Sequence, residues 1–309
     1  MRRRKLGLRD RLMRGAVFAF AEEHAPAARL AGALGCDISP ISLHRFPDGE
    51  SLVQVARAPT VALLYRSLDE PNAKLVEILL AASALRDNGA ARVVLVAPYL
   101  AYMRQDMAFE PGQAVSQRVI GALLAQHFDG VLTVDPHLHR IASLDEVMSG
   151  TDAVSLSAAP VLSQAIDRAD IPVLVGPDAE SRQWVEAIAQ PLGLDVLLGE
   201  KQRHGDRAVS IAFNGLGAVA GRRAILVDDV ISSGRTLQCA ARMLREAGAA
   251  GVDAIVTHCL SNDAELAELA ASGIDRIRST DSVPGPTATI PLAGLLAGAI
   301  LDQGWLEDE

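Results

Sequence analysis

The stretch Ala224-Ile-Leu-Val-Asp-Asp-Val-Ile-Ser-Ser-Gly-Arg-Thr-Leu237 is the most informative part of this 309-residue chain. An apolar run leads into two acidic residues, then into a turn of small residues, and then into an amphipathic helix that begins near Thr236. Such a strand–turn–helix unit directs backbone N–H groups and hydroxyls at one spot, which makes a ready site for an anion. It predicts an α/β fold in which Asp228 and Asp229 lie at the carboxyl end of a buried strand, where ligands bind in open sheets.

Short apolar runs alternate with longer Ala- and Leu-rich segments along the rest of the chain. This alternation predicts mainly parallel sheets that helices cover on both faces. The expected strands span residues 93–97, 131–134, 173–175, 224–227 and 254–257, and the expected helices span residues 73–88, 116–126, 181–190 and 236–247. The uncharged run at 289–301 falls short of the ~20 residues that cross a bilayer, so we interpret it as a buried helix.

The two halves of the chain resemble each other. Leu85-Arg-Asp-Asn-Gly-Ala-Ala-Arg-Val93 corresponds to Leu244-Arg-Glu-Ala-Gly-Ala-Ala-Gly-Val252, an offset of 159 residues. Leu34-Gly-Cys-Asp-Ile38 corresponds to Leu192-Gly-Leu-Asp-Val196 at nearly the same offset. Each is a helix-to-strand junction at a glycine, a residue suited to the left-handed end of a helix. Two matches at nearly one offset predict two homologous domains.

The domain boundaries follow from this repeat. We expect a basic N-terminal extension at residues 1–14, one domain at 15–150 and a second domain at 151–309. The offset projects the loop of the second domain onto Asp69-Glu-Pro-Asn-Ala-Lys-Leu-Val-Glu77, which lacks the Ser/Gly/Thr run. One half therefore keeps an anion-binding loop, and the other half is left for another task.

The composition excludes several classes of protein. The formal net charge of −9 argues against a non-specific nucleic-acid surface. The cysteines Cys36, Cys239 and Cys259 have no metal-ligand spacing, which favours reduced thiols in the cytoplasm. The apolar patch at 16–21, after the basic extension, is too short for a secretory signal. We expect a cytoplasmic protein that binds neither nucleic acid nor membrane.

The stretch at 224–237 resembles the phosphoribosyl pyrophosphate loop of type I phosphoribosyltransferases and ribose-phosphate pyrophosphokinases. Its hydroxyls can donate to phosphate oxygens, its glycine lets the backbone approach, and its carboxylates suit sugar hydroxyls. The implied ribose 5-phosphate site consists of Asp228, Asp229, Ser232, Ser233, Gly234 and Thr236. Those families usually carry Gly where this chain has Arg235, a change that would add a phosphate contact or crowd the loop.

Further stretches resemble the ribose-phosphate pyrophosphokinase family alone, from about residue 15 to 300. The first is Phe46-Pro-Asp-Gly-Glu50, which by itself predicts a hairpin turn. The resemblance implies that Phe46 stacks on the adenine of ATP and that Asp48 and Glu50 bond its edge. In the family this site is often completed across a subunit interface, which implies a homo-oligomer.

The second stretch, Pro98-Tyr-Leu-Ala-Tyr-Met-Arg-Gln-Asp106, follows a predicted strand. A cation at a strand's carboxyl end is placed to meet a polyphosphate, and Arg104 and Gln105 match the family's ATP-contacting pair. The continuation, Phe109-Glu-Pro-Gly-Gln-Ala-Val-Ser116, is similar to archaeal-type members.

The third stretch, Val134-Asp-Pro-His-Leu-His-Arg140, contains two histidines, a spacing that is more often structural than metal-binding. The resemblance implies a magnesium–ATP contact at His137, and less clearly at His139. A carboxylate for magnesium and ribose is implied at Asp178, in Gly176-Pro-Asp-Ala-Glu-Ser181. The family has one or two small residues, usually Gly, where this chain has Glu180 and Ser181.

The fourth stretch, Glu200-Lys-Gln-Arg-His-Gly-Asp206, lies between predicted strands at 196–198 and 208–213. By itself it is typical of a charged, solvated hairpin. It matches the family's catalytic loop at Lys201 and Arg203, which are implied to neutralise charge in the transition state.

Together these matches imply an Mg²⁺-dependent enzyme of nucleotide biosynthesis. It would transfer the diphosphate of ATP to the anomeric oxygen of ribose 5-phosphate, giving 5-phosphoribosyl 1-pyrophosphate and AMP. Two alternatives stay open at this point. One is a type I phosphoribosyltransferase, which needs no site at Arg104 and Gln105. The other is a non-catalytic, regulatory relative that binds nucleotides without turning them over.

Overall fold

The structure is a computed structural model that describes residues 15–138, 140–169, 171–204 and 208–307, and for residues between 201 and 211 it describes the backbone alone. The basic extension and His139 therefore lie outside the described residues. The chain forms two compact units. Unit 1 contains the described residues up to Leu156 and those from Pro291 onward, and unit 2 is Ser157–Ile290.

Unit 1 is built on a six-stranded sheet. Its elements are β1 (Gly15–Ala19), α1 (His24–Leu34), β2 (Asp37–Pro40), β3 (Ser42–Arg45), β4 (Ser51–Gln54), β5 (Val61–Tyr65), α2 (Pro71–Asp87), β6 (Arg92–Val96), α3 (Ser116–His127), β7 (Gly130–Val134), β8 (Asp152–Leu156) and a last helix at Ala293–Asp302. The sheet order is β2-β1-β5-β6-β7-β8, and every neighbouring pair is parallel. Strands β3 and β4 form a separate antiparallel hairpin.

Unit 2 repeats this plan. Its elements are α4 (Ala159–Gln164), β9 (Val173–Gly176), α5 (Arg182–Ala189), β10 (Val196–His204), β11 (Ala208–Phe213), β12 (Arg223–Ile231), α6 (Arg235–Glu246), β13 (Gly251–Cys259), α7 (Asp263–Ala271), β14 (Arg276–Thr280) and β15 (Ala288–Ile290), and the last helix of unit 1 becomes α8. The sheet order is β11-β10-β9-β12-β13-β14-β15, parallel except for the β10–β11 pair.

Burial explains why the central strands are apolar throughout. All residues of β1, β5 and β7 are buried. A parallel strand with helices on both faces cannot alternate apolar and polar side chains, because both faces lie in the core. The predicted α/β class with mainly parallel sheets is confirmed, and each predicted strand overlaps an observed one.

The repeat between the halves is visible in the backbone. Helix α2 ends at Asp87 and α6 ends at Glu246, each two residues before a glycine with positive φ, +117° at Gly89 and +85° at Gly248. A strand follows in both units.

Two sequence-based expectations are corrected. The run at 289–301 is not one helix, since its first residues belong to the edge strand β15 and α8 begins at Ala293. Pro291 accounts for this, because a proline disfavours helical backbone at the residue before it. Strand β10 does not stop at residue 198 but continues to His204, where it pairs with β11.

A glycine in α3 provides a test of the packing. A Cβ at Gly121 would lie 2.5 Å from the carbonyl oxygen of Val147, whereas a Cβ at Gly32 in α1 would meet nothing within 4 Å. Gly121→Ala should lower the free energy of unfolding by about 1–3 kcal/mol through overpacking. Gly32→Ala, the matched control, should raise it by about 0.5–1 kcal/mol because alanine is the better helix former. Denaturant unfolding measures both, and stabilisation by Gly121→Ala would contradict the packing of α3.

Candidate active site

Three carboxylates gather at the carboxyl edge of the unit 2 sheet. Strands β9 and β12 are parallel neighbours with Val175 beside Leu226, so the segments that leave them emerge side by side. Asp228 and Asp229 lie near the end of β12, and Asp178 follows β9. Burial raises the pKa of Asp228 well above its usual range, and the charges of Asp229 and Asp178 raise it further. The edge therefore concentrates negative charge that sugar hydroxyls or a cation can satisfy.

The turn after β9 holds Asp178 by local hydrogen bonds. Oδ1 of Asp178 accepts from the backbone N–H groups of Glu180 (3.1 Å) and Ser181 (3.2 Å). The buried hydroxyl of Ser181 donates to the carbonyl of Asp178 at 2.7 Å. Ser181 thus shapes the turn, while the Glu180 side chain is exposed.

The loop after β12 leads straight into α6. Ser232 and Ser233 are exposed, and Gly234 is buried with φ +68°. A Cβ at Gly234 would lie 2.9 Å from Leu269, so both backbone angle and space favour glycine. Helix α6 starts at Arg235, one residue before the predicted start, and directs its free N–H groups into the loop.

Thr236 is half-buried in the first turn of α6. Arg235 is exposed, and its side chain has no ion-pair partner in the part of the chain that the structure describes. The loop therefore combines hydroxyls, a helix N-terminus and one available cation.

The predicted catalytic pair lies on a hairpin that leaves the same edge. Strand β10 begins beside β9, with Leu198 paired to Gly176, and then continues as a two-stranded hairpin with β11. Lys201 pairs with Ile211 and Arg203 with Val209 along that hairpin. The side chains of Lys201 and Arg203 lie outside the described part of the structure, which places only the backbone of these two residues.

The carboxyl edge of unit 1 carries Arg104 and Gln105, after β6. The Arg104 side chain is exposed and has no ion-pair partner among the described residues. Gln105 is anchored to α3, because its Oε1 accepts from the Ser116 hydroxyl and its carbonyl accepts from Gln117 N–H at 3.2 Å. This leaves the amide NH₂ of Gln105 and the guanidinium of Arg104 as donors at this edge.

His137 is half-buried and lies shortly after the end of β7. A residue with strained backbone, Asp135, lies between the strand and His137. Asp135 has φ +37°, and Tyr102 (φ +66°) and Glu70 (φ +52°) also have positive φ at this edge. Non-glycine residues in this conformation cost energy and tend to cluster where ligands bind.

The predicted turn at residues 46–50 is confirmed as the tip of the β3–β4 hairpin. Phe46 N–H donates to the Glu50 carbonyl at 2.8 Å, and Gly49 N–H donates to the Phe46 carbonyl at 2.9 Å. Oδ1 of Asp48 accepts from Glu50 N–H at 3.2 Å. The Phe46 ring is 40% exposed, which leaves a face for stacking.

Sequence reasoning missed a buried ion network at the unit 1 edge. Arg66, the first residue after β5, is fully buried and pairs with Glu23 at 2.6 Å and with Glu77. Lys74 pairs with Asp69 at 2.7 Å and with Glu23 at 3.3 Å. Burial raises the pKa of Glu23, although Arg66 and Lys74 act in the opposite direction.

This network lies where unit 2 has its anion loop, after the corresponding strand. Its cations are already neutralised by carboxylates, so this part of the unit 1 edge offers no charge to a phosphate. A signal was present in the sequence, since an arginine directly after an apolar strand is unusual unless it is paired. Its partners could not be identified from the sequence.

Two kinds of feature are absent from the described residues. None of their helices is long and apolar enough to cross a membrane. These residues also contain no group of three or more His, Cys, Asp or Glu side chains that could hold a metal ion.

Comparison with known proteins gives matches to both units. The family model described as the N-terminal domain of ribose phosphate pyrophosphokinase matches residues 16–127, and the phosphoribosyl transferase domain matches residues 153–282. A ribose-phosphate pyrophosphokinase of Methanopyrus kandleri is 33% identical over 92% of this chain and 98% of its own length. That of Halobacterium salinarum is 32% identical over 89% of this chain and 96% of its own length.

A solved structure matches nearly the whole chain. The phosphoribosylpyrophosphate synthetase from Mycobacterium smegmatis superposes with a TM-score of 0.79 at 25% identity, covering 94% of this chain and 98% of its own. This match to a single protein therefore spans both units of the chain.

Neutralising one carboxylate of the cluster, Asp228, should stabilise the folded protein. In the folded state the pKa of Asp228 is raised, so the folded protein holds its proton to higher pH than the unfolded chain does. Stability is therefore lost as pH rises from the unfolded pKa through the folded one, and the loss is complete above it. Asp228→Asn should remove this penalty and raise the free energy of unfolding at pH 8 by about 0.5–2 kcal/mol.

The gain should shrink toward zero as the pH falls to about 3, roughly one unit below the ordinary pKa of ~3.9 for an aspartic acid, because Asp228 is then largely protonated in both states. Denaturant melts at both pH values measure it, with Asp195→Asn, an exposed carboxylate paired with Arg222, as the control. If Asp228→Asn is no more stable than the unaltered protein at pH 8, the inferred repulsion between Asp228 and the neighbouring carboxylates is contradicted.

Proposed function

The chain belongs to the ribose-phosphate pyrophosphokinase family, and we propose that it transfers the diphosphate of ATP to ribose 5-phosphate, giving 5-phosphoribosyl 1-pyrophosphate and AMP. The observation that carries this proposal is the loop after β12, where paired carboxylates precede a hydroxyl-rich turn at a helix N-terminus. The family relation extends over both units, and it therefore includes unit 1, which lacks a loop of this kind.

Ribose 5-phosphate is assigned to unit 2. Its phosphate would accept hydrogen bonds from Ser232, Ser233, Thr236 and the backbone at Gly234, supported by the positive end of α6. Its hydroxyls would donate to Asp228 and Asp229, which relieves part of the repulsion between these carboxylates. Arg235, an exposed cation at the first helical position, would add charge to the phosphate site.

ATP is assigned to the donors of unit 1. Arg104 and Gln105 would contact its phosphates, because both keep donors available at the carboxyl edge. Phe46 would stack on adenine, with Asp48 and Glu50 accepting hydrogen bonds from the edge of the base. The neutralised cations Arg66 and Lys74 are not assigned to phosphate.

Mg²⁺ fits as a metal that arrives with ATP. It is commonly held by one or two carboxylates together with substrate phosphates and water, and does not need a cluster of three protein ligands. Asp178 and His137 are the side chains that would hold it, and Asp178 adds to the negative charge that raises the pKa of Asp228. When bound, the metal would screen the negative charge of the transferring phosphates.

In the reaction, the anomeric oxygen attacks the β-phosphorus, the bond from that phosphorus to the oxygen of AMP breaks, and the hydroxyl proton passes to solvent. Catalysis of this kind depends mainly on positioning and on neutralising charge. Lys201 and Arg203 are the cations proposed to act on the transferring group. No side chain is assigned as a general base.

We further propose a cytoplasmic homo-oligomer. The three cysteines are free in the structure, which fits a reducing compartment. An oligomer fits the resemblance at the adenine turn, which the family often completes from a second subunit.

The activity is tested by incubating the protein with ATP, Mg²⁺ and ribose 5-phosphate and measuring AMP. Release of AMP that requires ribose 5-phosphate, without any nucleobase, supports the proposal. A type I phosphoribosyltransferase would instead consume phosphoribosyl pyrophosphate with a base. A non-catalytic relative would bind ATP and release no AMP, and either result would overturn the proposal.

The catalytic pair gives a sharper prediction. Lys201→Ala and Arg203→Ala should each lower kcat by about 10³-fold, because each removes a cation that stabilises transition-state charge. Gln202→Ala, in the same strand, is the matched control and should keep near-normal turnover. The kcat values are measured at saturating ATP and ribose 5-phosphate, and near-normal turnover by Lys201→Ala would contradict the assigned role.

A further inference from the structure

The hairpin that carries Phe46 is tied to unit 1 through one buried carboxylate. Strands β3 and β4 lie outside the six-stranded sheet. Arg45, the last residue of β3, donates from Nε (3.2 Å) and Nη2 (2.7 Å) to Oε1 of Glu77 on α2. The Glu77 side chain is fully buried, whereas that of Arg45 is 53% exposed. This contact fixes the residue that directly precedes Phe46.

Glu77 is itself fixed from the other side. Its Oε2 accepts from Nη2 of Arg66, whose guanidinium is fully buried. Nη1 of Arg66 donates to Glu23 at 2.6 Å, and the guanidinium lies 4.2 Å from the centre of the Phe20 ring. One oxygen of Glu77 therefore binds the interior of the unit, and the other binds the hairpin.

Apolar packing does not reach the tip of the hairpin. Leu43 and Val53 pack against the core and orient the two strands. All residues at 46–50 are exposed, and the backbone hydrogen bonds of the tip close within the turn itself. Packing thus sets the direction of the strands, while Arg45 is the nearest anchor of the turn.

We propose that Glu77 is a positioning residue for nucleotide binding: by holding Arg45 it fixes the turn that presents Phe46, Asp48 and Glu50 to adenine. This inference rests on the proposed function, which assigns the base to that turn. Glu77 does not touch a substrate. Hydrogen bonds between charged partners are strong and directional, so the turn is ordered before ATP binds and less freedom is lost on binding.

The test uses Arg45→Met in the full-length protein. Arg45 is largely exposed, so the variant should fold while losing both donors to Glu77. The KM for ATP should rise about tenfold, as expected for the loss of a charge-assisted hydrogen bond. The kcat and the KM for ribose 5-phosphate should stay the same. A merely structural defect would reduce the active fraction, and hence kcat, without raising the KM for ATP.

Two further variants complete the design. Glu77→Gln should also raise the KM for ATP. The double variant Arg45→Met/Glu77→Gln should raise it little further than either single variant, because both changes remove the same contact between Arg45 and Glu77. Arg86→Met is the matched control, since Arg86 lies on the same helix, is 38% exposed and pairs with a single carboxylate, Asp129, at 2.8 Å. Its KM for ATP should not change.

The outcomes separate this inference from the proposed function. If the unaltered protein releases AMP and Arg45→Met keeps its KM for ATP, the positioning role is overturned and the proposed function stands. If the unaltered protein releases no AMP, the proposed function fails, and calorimetric titration with ATP decides the positioning role. About tenfold weaker ATP binding by Arg45→Met then supports it, whereas equal affinity, or no binding by the unaltered protein, overturns it.

Discussion

The parallel direction of the strands is the constraint on which both sites depend. Because neighbouring strands run the same way, the segments that follow them all emerge at one edge of the sheet. In unit 2 this brings the turn after β9, the hairpin of β10 and the loop after β12 to a single edge. In unit 1 it does the same for Arg66, Arg104 and His137. Segments that are far apart in sequence therefore emerge at the same edge of their sheet.

The two edges use this geometry in opposite ways. At the unit 2 edge, burial and the nearby charges of Asp229 and Asp178 raise the pKa of Asp228. At the unit 1 edge, after β5, buried cations and carboxylates satisfy each other around Arg66. Removing one partner from such a buried network leaves an unpaired charge, which typically costs about 3–5 kcal/mol. The cations after β5 are thus already paired with carboxylates, and one of these carboxylates, Glu77, also binds Arg45 of the hairpin.

How much could be predicted from the sequence depended on the range of the interaction. Buried parallel strands leave apolar runs, and the turn at Phe46 and the start of α6 are encoded within a few residues. The extension of β10 to His204 was missed, because a hairpin that leaves the sheet carries charged residues without an apolar pattern. The link from Arg45 through Glu77 to Arg66 joins three separate elements, and no local pattern reports such pairing. Nor does any local signal assign α8 to unit 1.

The residues that depart from the family pattern, Arg235, Glu180 and Ser181, have different structural effects. At the loop after β12, the left-handed backbone belongs to Gly234, while Arg235 is the first residue of α6 and has ordinary helical backbone. An arginine at that position therefore causes no backbone strain, and its exposed side chain leaves the turn uncrowded. After β9, the Ser181 hydroxyl closes the turn that holds Asp178, whereas Glu180 extends into solvent. Arg235 and Glu180 therefore add exposed charge around the site, whereas Ser181 shapes the turn that holds Asp178.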